Sequence, residues 1–219
     1  MEITWLGHSC FRLRGRDAAV VTDPCGKETG YSISRPVADI VTVSHDHPAH
    51  SNVSGVAGTP RVVRGPGEFE IADVLIMGIP TYHDNQKGGK LGKNTAFVLE
   101  MDDLRICHLG DLGHVPSSDQ AEELSGVDIL LTPVGGGSTI NAAAAVETIS
   151  LLEPKLVIPM HYKTPVAKDG DLEPLDRFLK EMGSKMANDE RQPKLSVTRS
   201  TLPSETKVLV LDYKGADKE

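Results

Sequence analysis

The chain has 219 residues, enough for one substantial hydrophobic core. Hydrophobic residues make up 39% and charged residues 25%, with a net charge of −8 at pH 7. That acidic balance argues against general nucleic-acid or anionic-membrane binding, both of which favour basic patches. It leaves room for a metal-centred nuclease, because bound cations attract phosphate themselves. No run is long enough to span a bilayer. The N-terminal stretch from Met1 to Gly7 lacks the basic and long apolar regions of a signal peptide, so a cytoplasmic protein is expected. Cys10, Cys25 and Cys107 have no paired spacing and read as reduced thiols, with Cys107 in the core.

No linker or low-complexity segment divides the chain, which reads as one domain over residues 1–219. The first half is a succession of short apolar runs with turn residues between them. Strands are expected at 2–6, 10–13, 19–22, 39–43, 61–63, 68–71 and 74–79. A hairpin at 95–100 and 104–108 follows, folded about Met101, Asp102 and Asp103. The second half alternates. Residues 118–124 have helical character behind a Ser117 or Ser118 N-cap. Residues 128–133 read as a buried strand, 141–152 as an alanine-rich helix and 156–160 as a strand. A helix at 172–182 and strands at 195–198 and 208–212 close the chain. Strands first and αβ units afterwards predict an α/β sandwich, two packed sheets with helices over both outer faces.

The segment from Ser44 to His50 places His45, His47 and His50 directly after an apolar strand. Neutral imidazole is the commonest side-chain ligand for zinc and its neighbours. In extended chain His45 and His47 point to one side, and Pro48 turns the chain so that His50 can swing back. The plain alternative is a polar loop rich in histidine. Three more apolar strands end in a His or Asp: 74–80 before His83 and Asp84, 104–109 before Asp111, and 156–160 before His161. Alone, His83 or Asp111 reads equally well as a cap, and His161 as a satisfied core histidine. Four such strand ends together predict a preorganised metal site.

The order His-x-His-x-x-His, His, Gly-Asp, His resembles the metallo-β-lactamase fold hydrolases. Trp5-Leu-Gly-His8, Thr22-Asp23-Pro24, His108-Leu-Gly-Asp111 and Pro159-Met-His161 are further similar to the small stand-alone branch with the ascorbate-lactonase-like enzymes. The resemblance runs from near Met1 to about Thr164 and implies a four-layer αββα sandwich of two mixed β-sheets flanked by helices. It also implies one or two divalent ions, usually zinc, sometimes manganese or iron. His45, His47 and His83 would hold the first ion, His50 and His161 the second, and Asp111 would bridge them. Asp23 would support the site by hydrogen bonding.

The chain departs from the family pattern at Ala49, where an aspartate usually stands. A methyl group neither ligates a metal nor accepts a proton. Three consequences are open: a weak second site, replacement by Asp46 or Asp84, or loss of activity. Strand alternation aims Asp46 away, so water completing His50, Asp111 and His161 is the favoured outcome.

The chemistry implied is metal-dependent hydrolysis, with a metal-bound hydroxide acting on a small ester or lactone. A phosphodiesterase or nuclease of the same fold is the alternative. A non-catalytic metal-binding protein is a third reading, motivated by Ala49. Catalytic roles fall to Asp111, which would fix the nucleophile, and to His114, three residues on, as proton donor. His8, Tyr82, Tyr162, Lys93 and Asn94 are candidates for substrate contact. The segment from Gly135 to Thr139 offers an anion site at a helix N-terminus, without the Lys-Ser/Thr ending of a P-loop. The expected partner is a small-molecule substrate, with neither nucleic acid nor membrane; a homodimer is the default on base rates alone.

Overall fold

The computed structural model describes residues 1–183 and 191–214. Two mixed sheets face each other. The first has six strands in the order β12-β1-β2-β3-β4-β5, from β1 (Glu2–Gly7), β2 (Cys10–Arg14), β3 (Ala19–Thr22), β4 (Ile40–Val43), β5 (Arg61–Arg64) and β12 (Leu195–Ser196). The second has seven in the order β13-β11-β10-β9-β8-β7-β6. Its strands are β6 (Gly67–Ile71), β7 (Val74–Tyr82), β8 (Lys93–Met101), β9 (Leu104–His108), β10 (Ile129–Pro133), β11 (Leu156–Met160) and β13 (Lys207–Val208).

Strand periodicity divides the apolar residues between two cores. Ile3, Trp5, Phe11, Leu13, Val20 and Ile40 share a cluster with the second sheet's Ile79, Phe97, Leu99 and Ile106. Their strand neighbours Leu6, Cys10, Val21, Val41 and Val43 form a smaller cluster with Tyr31, Ile33 and Val56. Between the sheets, therefore, lies the main core, and the smaller cluster covers the first sheet's outer face.

The outer layers are unequal. Helix α1 (Ser118–Leu124) packs on β7, and α2 (Ala142–Leu152) lies against α1 and α3 (Leu175–Glu181). All three contribute side chains to the main core. The first sheet is covered instead by the irregular stretch 24–57, whose only helical pieces are 3-10 turns at Lys27–Thr29 and Val53–Gly55. Pro24, Gly26, Gly30 and Pro36 punctuate that stretch too often for a helix to propagate.

Other differences are at element ends. The helix expected from residue 172 starts at Leu175, because Pro174 at its N-cap lacks an N–H and biases Glu173 to extended backbone. Glu173 spends its backbone groups on Gly135 O (2.7 Å) and Lys163 N (2.9 Å). The last two strands are two residues each, a 3-10 turn at Arg199–Thr201 cutting off the first of them. Ser117 caps α1 through a reciprocal capping box with Gln120.

Strands β1, β3 and β4 run the same way, as do β7, β9, β10 and β11. The residues that follow β1, β3, β4, β7, β9 and β11 meet at one edge of the sandwich. Cross-sheet bonds tie the halves there: His161 N to His8 O (3.3 Å) and Thr95 N to Ser44 O (2.9 Å).

Candidate metal centre

The Asp111 carboxylate is the hub of this edge. Its Oδ2 lies 3.0 Å from His50 Nε2, 3.3 Å from His83 Nε2 and 3.6 Å from His161 Nε2. Ser9 Oγ donates to its Oδ1 (3.3 Å), and its own N–H donates to Asn94 Oδ1 (3.0 Å). Asn94 in turn donates to Thr81 Oγ1 and Leu109 O, which fixes its amide. Among the described residues, possible ligand atoms fall into three overlapping groups within 4.8 Å: His45, His47 and His50; His45, His83 and Asp111; His8, His50 and His161. They line a cavity of about 510 Å³, in the range of small-molecule sites.

Outer hydrogen bonds set the histidine tautomers. Buried Asp23 accepts Ser44 N–H (2.7 Å), Ser44 Oγ (2.6 Å) and His50 Nδ1 (2.9 Å). Since the Ser44 hydroxyl gives its one proton to Asp23, it accepts from His45 Nδ1 at 3.0 Å. His83 Nδ1 donates to Ser138 O (3.0 Å). His45, His50 and His83 are thus each left with an Nε2 for a metal, the arrangement that orients ligating imidazoles. His47 is exposed, and its Nδ1 takes the Ala49 N–H at 3.3 Å.

Charge follows burial. Desolvation, then the neighbouring His50, pushes His45 down to about 4. Burial and the nearby His161 and His50 likewise keep His8 neutral. Burial opposes charge on His50 as well, but Asp111 and Asp23 raise it to about 10. For Asp111 burial favours the neutral acid, and His50 and His161 overcome this and hold the carboxyl well below its usual range.

Three of the residues around the site take strained backbone. His8 (φ +52°), Asp23 (φ +38°) and His161 (φ +51°) all occupy the left-handed region, costly for non-glycine residues and typical of functional sites. Two glycines permit the packing: a Cβ on Gly113 would stand 2.3 Å from the His83 carbonyl, and one on Gly135 would stand 2.2 Å from the His161 carbonyl.

A family model described as the beta-lactamase superfamily domain matches residues 2–161. A crystal structure from Thermotoga maritima, named as a proposed Zn-dependent hydrolase of the metallo-beta-lactamase superfamily, is 39% identical. It aligns over 97% of this chain and 99% of its own, with a TM-score of 0.78. The chain belongs to the metallo-beta-lactamase superfamily. A UPF0173 metal-dependent hydrolase of Pyrococcus abyssi is 26% identical over 200 residues, covering 77% of this chain and 88% of the relative. One from Archaeoglobus fulgidus is also 26% identical, over 214 residues, covering 84% and 92%.

The structure brings together His45, His47, His50, His83, Asp111 and His161, with Asp23 behind them. It does not bring His114. Tyr82 N–H donates to His114 Nε2 (3.2 Å) and His114 Nδ1 donates to Val115 O (2.8 Å), so both ring nitrogens are spent on backbone. His114 is also absent from the cavity wall, which corrects its expected role as proton donor. Asp46 is 93% exposed and faces Arg64, as strand alternation predicts. Asp84 accepts four backbone N–H groups, from Gln86, Gly88, Lys90 and Leu91, and organises its own loop. Neither replaces the carboxylate missing at Ala49.

Tyr82 packs beside His114, and Tyr162 packs on Trp5. Lys93 opens β8 outside the cavity wall, while Asn94 serves Asp111 instead of a substrate. The glycine-rich segment supports ligands through Gly135 and Ser138. The following helix is capped by Asn141, which accepts Ala144 N–H, so one of the donors expected to bind an anion is already engaged. His8 was placed by sequence only as a substrate contact, yet it stands among the possible ligands. It obeys the same rule as the others, a histidine just past an apolar strand.

All three cysteines are buried and unpaired. Burial pushes the Cys107 thiol up to about 12.

Proposed function

We propose that the chain is a metal-dependent hydrolase acting on a small ester or lactone, with zinc as its first-choice ion. The observation that carries this reading is Asp111 Oδ2 within 3.0–3.6 Å of three imidazole Nε2 atoms at the base of a cavity. The donor set fits: imidazoles whose outer hydrogen bonds orient their tautomers, gathered around a carboxylate, suit zinc, manganese or iron. Bound there, one or two such ions would lower the pKa of water to about 7 and polarise the group under attack.

The chain's own residues do the rest. His45, His47 and His83 with Asp111 make one ligand set, and His50 and His161 with Asp111 make the other. Ser9 Oγ donates to the Asp111 carboxylate and Asn94 Oδ1 holds the Asp111 backbone N–H, which together anchor the residue. Asp23 keeps a proton on His50 Nδ1, so that Nε2 faces the site. The cavity rim bears on the substrate. Among the described residues, Glu28, Asp46 and Asp169 stand there against one cation, Lys168, and Leu91 adds an apolar contact. Such a rim repels a polyanionic nucleic acid and favours a neutral acyl substrate. The names of the Thermotoga maritima and Pyrococcus abyssi proteins agree with a metal-dependent hydrolase.

The test is turnover of a lactone and aryl-ester panel against bis(p-nitrophenyl) phosphate, with zinc or manganese added. Ester or lactone hydrolysis is expected, abolished by chelator and by His45→Ala. Turnover of the phosphodiester alone would replace the substrate class. Metal bound without any turnover would favour the non-catalytic reading that Ala49 motivates.

A further inference from the structure

We infer that His8 is a metal ligand, holding the second ion together with His50 and His161 and standing in for the carboxylate absent at Ala49. This rests on the metal-dependent reading above and deepens it. Ligand nitrogens of the three residues lie within 4.8 Å of one another, and all three side chains are buried. The His8 ring stands between the other two: its centroid is 4.9 Å from His50 and 4.3 Å from His161, which are themselves 6.4 Å apart. His8 and Ala49 line the same cavity.

A packing role does not account for this ring. His108, a core histidine of the same chain, has both nitrogens engaged: Nε2 with Ser9 O at 2.8 Å and Nδ1 with Gly110 N–H at 3.3 Å. His8 Nδ1 is buried without a hydrogen-bond partner, and so is His161 Nδ1. Leaving a buried polar atom unpaired forfeits the hydrogen bond it makes to water in the unfolded chain. The backbone is also bent to deliver the ring. Gly7 (φ +112°) and His8 (φ +52°) both take positive φ, and a Cβ at Gly7 would strike the Tyr31 ring. Trp5 Nε1 and His161 N both donate to the His8 carbonyl, which ties the two proposed ligands together.

The experiment is metal stoichiometry and affinity, by elemental analysis and chelator competition with Zn²⁺ and Co²⁺. Wild type is compared with His8→Gly and His8→Gly/Ala49→Asp. Glycine removes the ligand and keeps the left-handed backbone free of strain. Two ions are expected in wild type. His8→Gly should keep the first and bind the second more than about 100-fold more weakly, beyond the 10–100-fold that loss of an outer hydrogen-bond partner costs. Ala49→Asp in that background should restore it, and failure to do so overturns the substitution for position 49. Two ions held with unchanged affinity in His8→Gly would overturn the inference. So would loss of both ions with a lowered unfolding temperature of the metal-free form, which marks a framework role. One ion in wild type would overturn it too, while leaving the hydrolase on His45, His47, His83 and Asp111. Wild type that binds no metal refutes the hydrolase reading itself.

Discussion

Asp23→Asn isolates the support behind the candidate metal centre. Asparagine tolerates the φ of +38° at this position and preserves side-chain shape. The change replaces one carboxylate oxygen by an NH₂ donor. Asp23 Oδ2 receives both Ser44 Oγ (2.6 Å) and His50 Nδ1 (2.9 Å), and Oδ1 receives Ser44 N–H (2.7 Å). If the amide nitrogen faces His50, that imidazole must carry its lone pair on Nδ1 and its proton on Nε2, the nitrogen 3.0 Å from Asp111. If the amide flips, two donors meet at Ser44 N–H. Either arrangement forfeits a buried charge-assisted bond, about 1.5–3 kcal/mol. At roughly 2–4 °C per kcal/mol for a chain this size, the metal-free protein should melt about 3–12 °C lower. Metal affinity should fall about 10–100-fold, because the wrong nitrogen is protonated. Chelator competition and thermal unfolding measure both quantities. Wild-type metal affinity in a folded Asp23→Asn protein would refute the claim that Asp23 sets the His50 tautomer.

Other changes follow from the same geometry. His114→Ala removes two backbone-directed bonds, about 0.5–1.5 kcal/mol each. It should lower the melting temperature while leaving metal content and kcat unchanged; a kcat drop at equal metal content would return His114 to the chemistry. Gly135→Ala sets a methyl against the His161 carbonyl, an overpacking cost of about 1–3 kcal/mol. Its metal content should fall with its stability, and an unchanged melting temperature would contradict the close approach. Asp84 is held well below the usual carboxylate range by the N–H groups of Leu91, Lys90, Gln86 and Gly88. Its folded pKa is depressed, so its contribution is present above pH about 3.8 and is lost only as pH falls through the lowered value. The amides of those four residues should stay protected from exchange at pH 4, and Asp84→Asn should expose them at every pH.

Much of this was legible in the sequence because strand periodicity and strand ends are local signals. The apolar runs that hold Val20, Val21, Ile40 and Val41 mark strands without any tertiary knowledge, and the rule of a polar residue after an apolar run pointed to His45, His83, Asp111 and His161. The rim of the sandwich was less legible. Which face carries helices depends on whether residues 24–57 can propagate a helix, and dense Gly and Pro placement there defeats it. His114 was misjudged because a spacing of three from Asp111 says nothing about which way the ring turns, and it turns to the Tyr82 N–H and the Val115 carbonyl. His8 was undervalued for the converse reason. Its aim depends on positive φ at Gly7 and at His8 itself, and nothing in the order of residues specifies the second of these.

The bonds that join the two sheets at the ligand edge carry a consequence for assembly. One sheet is built almost wholly from residues before Arg64, the other from residues after Gly67. His8, His45, His47 and His50 come from the first; His83, Asp111 and His161 come from the second. An ion bound among them would therefore latch the two halves of the chain to each other. Binding free energy would then count as folding free energy, growing with ion concentration. The half-chains, each leaving one face of a sheet bare, would have neither the latch nor the shared core. Closure of this edge joins well-separated parts of the sequence, as His161 N to His8 O does, so it is a step that loop-closure entropy makes slow and that an ion would make hard to reverse.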